Sequence, residues 1–151
     1  MPENDDLRIV PVDAENAEAW RDIHNAVIPA SPLSAADVAE RRTRNLLTLA
    51  YAGDALVGNA TVRAPQDGAV TVIVRILAAH RRRGHGSAYL ERMLDQAWAL
   101  GAERIETVVL EANADGLAFA RRHGFEEIER YEVDGAAYVD LVLRHSSASS
   151  A

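Results

Sequence analysis

The residues best suited to chemistry lie together. Arg81-Arg82-Arg83-Gly84-His85-Gly86-Ser87 joins a β-prone run ending near Leu77 to a helical run beginning near Gly86. Gly84 and Gly86 permit positive φ and let a ligand approach the main chain. The first amides of a helix lack acceptors within it, and the positive end of the helix dipole lies behind them. With the guanidinium groups of Arg81, Arg82 and Arg83 beside them, and the Ser87 hydroxyl, such a turn suits a pyrophosphate. Two familiar phosphate loops are excluded. A Walker loop requires Lys, and the chain has none. A Rossmann fingerprint requires a third glycine and an acidic residue ending the next strand. A solvated arginine run before a helix start is the plain alternative.

Pattern and turn chemistry set out the elements that must position this segment. Leu7–Val12 reads as a strand, and Asp13 can cap a helix to about Val27. Pro29 and Pro32 interrupt the chain. Ser34 caps a second helix, with Asp37 in its first turn. Leu46–Ala52 and Ala55–Arg63 flank Gly53-Asp54, a hairpin signal. Pro65-Gln66-Asp67-Gly68 is a further turn. Ala69–Leu77 is strongly β-prone. Leu90, Met93, Leu94, Ala97 and Trp98 follow at helical spacing up to Gly101. Ile105–Leu110 reads as a strand, Asp115–His123 as a helix, and Glu126–Val133 with Ala136–Leu143 as a hairpin about Asp134-Gly135. The order β-α-α-β-β-β-α-β-α-β-β predicts a mixed α/β sheet with a central parallel β-α-β unit and antiparallel neighbours.

Composition bounds the function. The 151 residues are 48% apolar and 26% charged, which fits one globular domain over 7–144 with loose tails at 1–6 and 145–151. There are 16 basic residues and 23 acidic ones, a net charge of −7, which argues against nucleic acid or an anionic membrane as partner. Cysteine is absent, removing disulfides, thiolate catalysis and Cys-ligated zinc. Five histidines occur without a His-x-x-x-His pair or a carboxylate-rich loop, so no metal is expected. The apolar runs fall short of the roughly 20 residues that span a bilayer. The acidic start has no signal-peptide core, so the expected location is cytoplasmic.

Arg81-Arg82-Arg83-Gly84-His85-Gly86 resembles the Arg/Gln-x-x-Gly-x-Gly/Ala signature of the GNAT superfamily of N-acetyltransferases. The likeness continues at Asn113, with Gly124-Phe125 eleven residues later and Phe119 at the usual aromatic position. It is strongest over Val70–Phe125. It implies the GNAT fold, a mostly antiparallel sheet of about seven strands with helices on both faces. It also implies acetyl-CoA as co-substrate and a primary amine of a small molecule or peptide as acceptor, attacked directly without a covalent enzyme intermediate. By resemblance, Arg81 to Gly86 and Ser87 would cradle the pyrophosphate. Main-chain groups of Val74 and Ile76 would pair with the pantetheine arm, which Asn113 would also contact. A backbone N–H near Ile76 or Leu77 would polarise the acetyl carbonyl. A homodimer is also compatible with the family.

The sequence departs from the family pattern at catalytic positions. Where many relatives carry a tyrosine to protonate the leaving thiolate, this chain has Ala120. Val70 and Val72 occupy positions that hold a base in some relatives. Glu111, ending the next strand, is the best remaining carboxylate to take the amine proton, directly or through water. These departures motivate a second reading, a non-catalytic module that senses acyl-CoA. His80 precedes the cradle, where it covers the strand end or meets the phosphates. His24 on the first helix is a candidate to face the acceptor. Arg75 is unusual in an apolar strand. It must either meet a carboxylate or open into the cleft, where it could recognise an acidic acceptor. Trp20, Trp98 and Tyr138 read as packing residues.

Overall fold

In a computed structural model of the protein, residues 7–29, 32–81 and 83–144 are described; both expected tails, and Arg82, lie outside the described residues. The elements are β1 (Leu7–Pro11), α1 (Ala17–Val27), α2 (Ala35–Arg42), β2 (Asn45–Ala52), β3 (Ala55–Arg63), β4 (Ala69–Ile76), α3 (His85–Ala99), β5 (Arg104–Leu110), α4 (Ala114–Arg122), β6 (Glu126–Val133) and β7 (Ala136–Arg144). A short 3₁₀ turn, Ala78–His80, lies between β4 and α3. The order is the one that the sequence predicts.

Local signals account for most boundaries. Ser34 accepts from the Asp37 amide at 3.1 Å while Asp37 accepts from the Ser34 amide at 2.9 Å, a complete capping box on α2. Asp134 and Gly135 both have positive φ, 52° and 83°, as a two-residue hairpin turn requires. One expected cap is displaced. Asp13 accepts from the amides of Glu15 and Asn16 and so closes a turn ahead of the helix. Asn16 returns a bond to the Asp13 amide at 2.7 Å, and α1 begins only at Ala17. The two short polar side chains satisfy each other's backbone in a non-helical turn, which delays the helix.

The sheet has seven strands in the order β1-β2-β3-β4-β5-β7-β6. β4 and β5 are parallel and the other neighbours antiparallel. β7 inserts between β5 and β6. On one face α3 and α4 cover a core that includes Val70, Val72, Tyr89, Leu90, Met93 and Leu117. On the other, α1 and α2 bury Trp20, Ile23 and Val38 against Leu47 and Leu49. Val70 and Val72 are thus core residues. The Tyr89 hydroxyl is tied to Thr48 at 2.6 Å, fixing α3 on β2.

The feature that makes a site is a parting of strands. β4 and β5 pair at Ala69 with Arg104, Val70 with Ile105 and Thr71 with Glu106. β4 then runs on to Ile76, and β5 to Leu110, without further pairing to each other. β3 holds β4 on its other edge from Val72 to Ile76, and closest of all at Gly58, where an added Cβ would run into the Arg75 carbonyl oxygen and come within 2.9 Å of Ile76 Cδ1. Gly58→Ala must therefore push β3 and β4 apart. Urea unfolding should show a loss of about 1–3 kcal/mol, the usual cost of overpacking. An unchanged midpoint would contradict the close approach.

Candidate active site

Main-chain groups alternate in direction along a strand. The Leu77 amide donates to Val57 O at 2.8 Å, in register with the Gly58–Ile76 pair. Amides and carbonyls of Leu77, Arg75 and Ile73 therefore turn toward β3. Those of Val74 and Ile76 turn toward the gap that β5 has left. Of the two expected carbonyl-polarising donors, the Leu77 amide is thus committed to the sheet, and the Ile76 amide faces the gap. Ile76 O accepts from Arg81 Nε at 2.9 Å, so Arg81 reaches back over the end of the open edge.

The gap opens into a cavity of about 330 Å³ bounded by β4, β5, α4 and the first turn of α3. Val74, Ile76, Arg81, Gly84, Gly86, Ser87, Asn113 and Phe119 all lie on its wall. Arg83 is exposed and off the wall. His85 contributes its main chain to the turn, but its ring is buried off the wall, with Nδ1 lacking a partner. Arg82 is outside the described residues.

The start of α3 is built to leave amides open. Gly84 takes φ 83° at the N-cap, and the first bond within the helix runs from Ala88 N to Gly84 O at 3.1 Å. The amides of His85, Gly86 and Ser87 precede that bond, no side chain caps them, and no acidic residue stands in the first turn. By contrast, Ser34 caps α2, and Asn113 caps α4 by accepting from the Gly116 amide at 2.9 Å. Gly86 lies close under Phe119: a Cβ there would sit 3.3 Å from Phe119 Cε1 and 3.5 Å from Ile76 Cγ1. Ser87 Oγ bonds His123 Nε2 at 3.0 Å, and burial lowers the His123 pKa.

Neither Glu111 nor Tyr131 lies on this wall. Glu111 is exposed and forms an ion pair with Arg130 at 2.8 Å. Ala120 is on the wall and brings no hydroxyl. Tyr131 donates to Asp140 at 2.8 Å, and burial with that carboxylate raises its pKa to about 12. Its ring stacks on Tyr138 at 5.9 Å. Among the described residues, Asp115 is the one carboxylate on the cavity wall. His80 ends the 3₁₀ turn, half-buried and off the wall. Sequence reasoning did not single out Asp115, Thr107 and Leu110; Val27 and Ile28 carry the end of α1, expected to help shape the acceptor site, to the wall. Thr107 and Leu110 lie in the carboxyl-terminal half of β5 and Asp115 shortly after it, a usual place for ligands in α/β sheets.

Beneath β4, Arg75 and His24 belong to one buried cluster. Trp20 is fully buried and stacks on His24, with ring centroids 5.6 Å apart. Arg75 Cζ lies 5.5 Å from the Trp20 ring centroid. Burial, then the Arg75 charge, lowers the His24 pKa to about 4, and its Nδ1 is 3.0 Å from Asn25 Oδ1. The histidine expected to face an acceptor is therefore a neutral packing residue. Burial, then the Arg41 charge, lowers the Arg75 pKa to about 9, which leaves Arg75 a cation at neutral pH.

The parting of β4 from β5 over an uncapped helix start thus puts an open strand edge and free helix amides on one cavity. The sequence model of the acetyltransferase (GNAT) family matches residues 12–125, and the chain belongs to that family. No curated protein matches the sequence. Among solved structures, a candidate phosphinothricin N-acetyltransferase is 22% identical with TM-score 0.79, over 93% of this chain and 99% of its own. A candidate acetyltransferase from Salmonella typhimurium, determined with its cofactor acetyl-CoA, is 17% identical with TM-score 0.75, over 93% of this chain and 96% of its own. The ribosomal-protein-S18-alanine N-acetyltransferase of Escherichia coli is 20% identical with TM-score 0.75, over 91% of this chain and 93% of its own. These likenesses establish the GNAT fold. No described helix is long and apolar enough to cross a membrane.

The His24 environment makes a stability prediction. The folded ring titrates near 4 and the unfolded one near 6.5. Between these values the unfolded chain binds more protons, so stability falls as pH drops through that window. The loss is at most about 1.4 kcal/mol per pH unit. Denaturant unfolding between pH 6.5 and 4 should show this slope in the wild type and a shallower one in His24→Gln. Equal slopes would refute the buried neutral ring.

Proposed function

We propose that the chain is an acetyl-CoA-dependent N-acetyltransferase acting on a primary amine. One observation carries the reading: the unpaired edge of β4 and the uncapped start of α3 open on the same cavity. The first offers alternating amides and carbonyls to an extended amide-bearing arm. The second offers converging donors to an anion. Pantetheine would add as a short strand on Val74 and Ile76. The pyrophosphate would lie on the amides of His85, Gly86 and Ser87, with Arg81, Arg82 and Arg83 supplying charge around Gly84. Asn113, on the wall with its Oδ1 holding the α4 cap, would lie beside the arm, and Phe119 would pack against the cofactor. The family and the acetyl-CoA complex of the Salmonella relative support this co-substrate.

The Ile76 amide is the proposed donor to the thioester carbonyl, a kind of contact worth about 3 kcal/mol in the transition state. The amine nitrogen adds to the acetyl carbon, whose oxygen takes the negative charge, and the tetrahedral intermediate then collapses as the C–S bond breaks. The amine proton passes to water, and the sulfur leaves as thiolate. With a thiol pKa near ~8.5, departure at neutral pH needs little assistance, so Ala120 is compatible with turnover. Glu111 would have to exchange Arg130 for a water to act as base, so the reading has the amine arrive already neutral. Holding it against the thioester supplies much of the rate.

Two measurements test this reading. Gly84→Glu puts bulk and negative charge where the pyrophosphate lies. Calorimetry should show acetyl-CoA binding to the wild type and at least about a 100-fold loss in the variant, with the circular dichroism spectrum retained. Unchanged affinity in a folded variant would refute the cradle. In the second test, kcat/KM should climb with pH toward the amine's own pKa in wild type and in Glu111→Gln alike. A flattened profile in Glu111→Gln would return the base to that residue. Tight acetyl-CoA binding without CoA release on any amine would instead favour the sensor reading.

A further inference from the structure

Arg75 is the sole charged residue of β4. It is 6% exposed, and no carboxylate pairs with it among the described residues. Nη1 donates to Asn59 Oδ1 at 3.2 Å, and Asn59, itself fully buried, is anchored by its Nδ2 to Trp20 O at 2.9 Å. Nε is buried with no partner. The surrounding groups therefore hold the guanidinium in place without neutralising it. The charges that reach it add to the imbalance: Arg41 and Arg63 are cationic, and His24 beside it is uncharged at neutral pH. In a chain of net charge −7, this is a local concentration of positive potential.

Such an arrangement is costly as pure architecture. A buried charge without a counter-ion is often replaced by an apolar residue of similar volume at no loss of stability. Arg75 also lies on the cavity wall, where Val27 and Ile28 of the α1 end join it. It stands next to Ile76, the proposed donor to the thioester carbonyl, with its main chain turned to β3. With Nη1 held by Asn59, the guanidinium still has an unmet donor at Nε, and a planar anion is the partner that Arg pairs with best.

We propose that Arg75 binds the carboxylate of the acceptor, so that the acetylated amine belongs to a free amino acid and not to a protein N-terminus or a polyamine. This inference rests on the acetyl-transfer reading above, and its test separates the two. Matched pairs of L-amino acids and their C-terminal amides are offered with acetyl-CoA, and released CoA thiol is measured. The free acids should exceed the amides by about 100-fold in kcat/KM, mainly through KM, because the amide leaves the buried cation unpaired. Arg75→Met should bring the acid-to-amide ratio close to one and leave the melting temperature no lower than wild type. It should also leave acetyl-CoA affinity within about twofold, since the cofactor takes main-chain groups of β4. Arg75→Lys, which keeps charge but not the fork, should give an intermediate ratio; it serves if the Met variant does not fold.

Amides turned over as well as acids by the wild type would overturn the inference and leave acetyl transfer standing. So would an Arg75→Met variant that keeps the acid preference. If no acceptor releases CoA, calorimetric binding of the same pairs to the protein–CoA complex decides: equal affinity for acid and amide overturns the carboxylate site. Failure to bind acetyl-CoA at all would overturn both readings.

Discussion

Backbone amides and carbonyls withdrawn from bulk water must find partners, and the sheet of this protein declines to supply them at one place. After Thr71 and Glu106 the two central strands stop pairing, although both continue. The groups left over on β4 alternate donor and acceptor. Those left over at the start of α3 are all donors, with the positive end of a 15-residue helix behind them. An extended chain bearing amides and joined to an anion would satisfy both. Two unsatisfied sets facing one cavity are a far narrower specification than either alone, and the acetyl-CoA reading draws its force from that combination.

The parting survives because each half of the sheet is complete without the other. β3 occupies the outer edge of β4 from Val72 to Ile76, and β7 occupies the outer edge of β5 from Arg104 to Leu110. The halves meet at three residue pairs and are then bridged by α3, whose Tyr89, Leu90 and Met93 pack on the sheet beneath. Placing the second strand of the last hairpin, and not the first, beside β5 gives that half its long partner. It also leaves β6 as an exposed edge rich in charge, which discourages further strand addition.

Features governed by neighbours in the chain were legible in the sequence. The capping box of α2, the hairpin turns and the Gly84–Gly86 bend each depend on a few adjacent residues, and the element order followed from them. The site was partly legible for the same reason: its anion-binding end is a local turn. What escaped was set by distant partners. The parting of β4 from β5 is written in no local pattern of the two strands, and only the family likeness implied it. Glu111 reads as an available carboxylate until Arg130, nineteen residues on, is seen to hold it. Asp13 reads as a helix cap until Asn16 is seen to return its bond. Arg75 was visible as an anomaly, but its lack of a counter-ion could only be known once every neighbour was in place.

The buried cation and the missing base become one argument in the proposed reading. Among the described residues the wall brings no imidazole, and its one carboxylate, Asp115, stands in the first turn of α4. An amine must therefore reach the thioester unprotonated. A guanidinium nearby, reinforced by the charges of Arg41 and Arg63, disfavours a second positive charge and shifts the amine toward its neutral form. The same group that would grip a carboxylate would thus also prepare the nitrogen attached to it. A zwitterion entering this slot would exchange its own internal ion pair for Arg75 and lose the proton that blocks attack. One residue would thereby supply both recognition and activation, on a strand whose main chain is already committed to the cofactor.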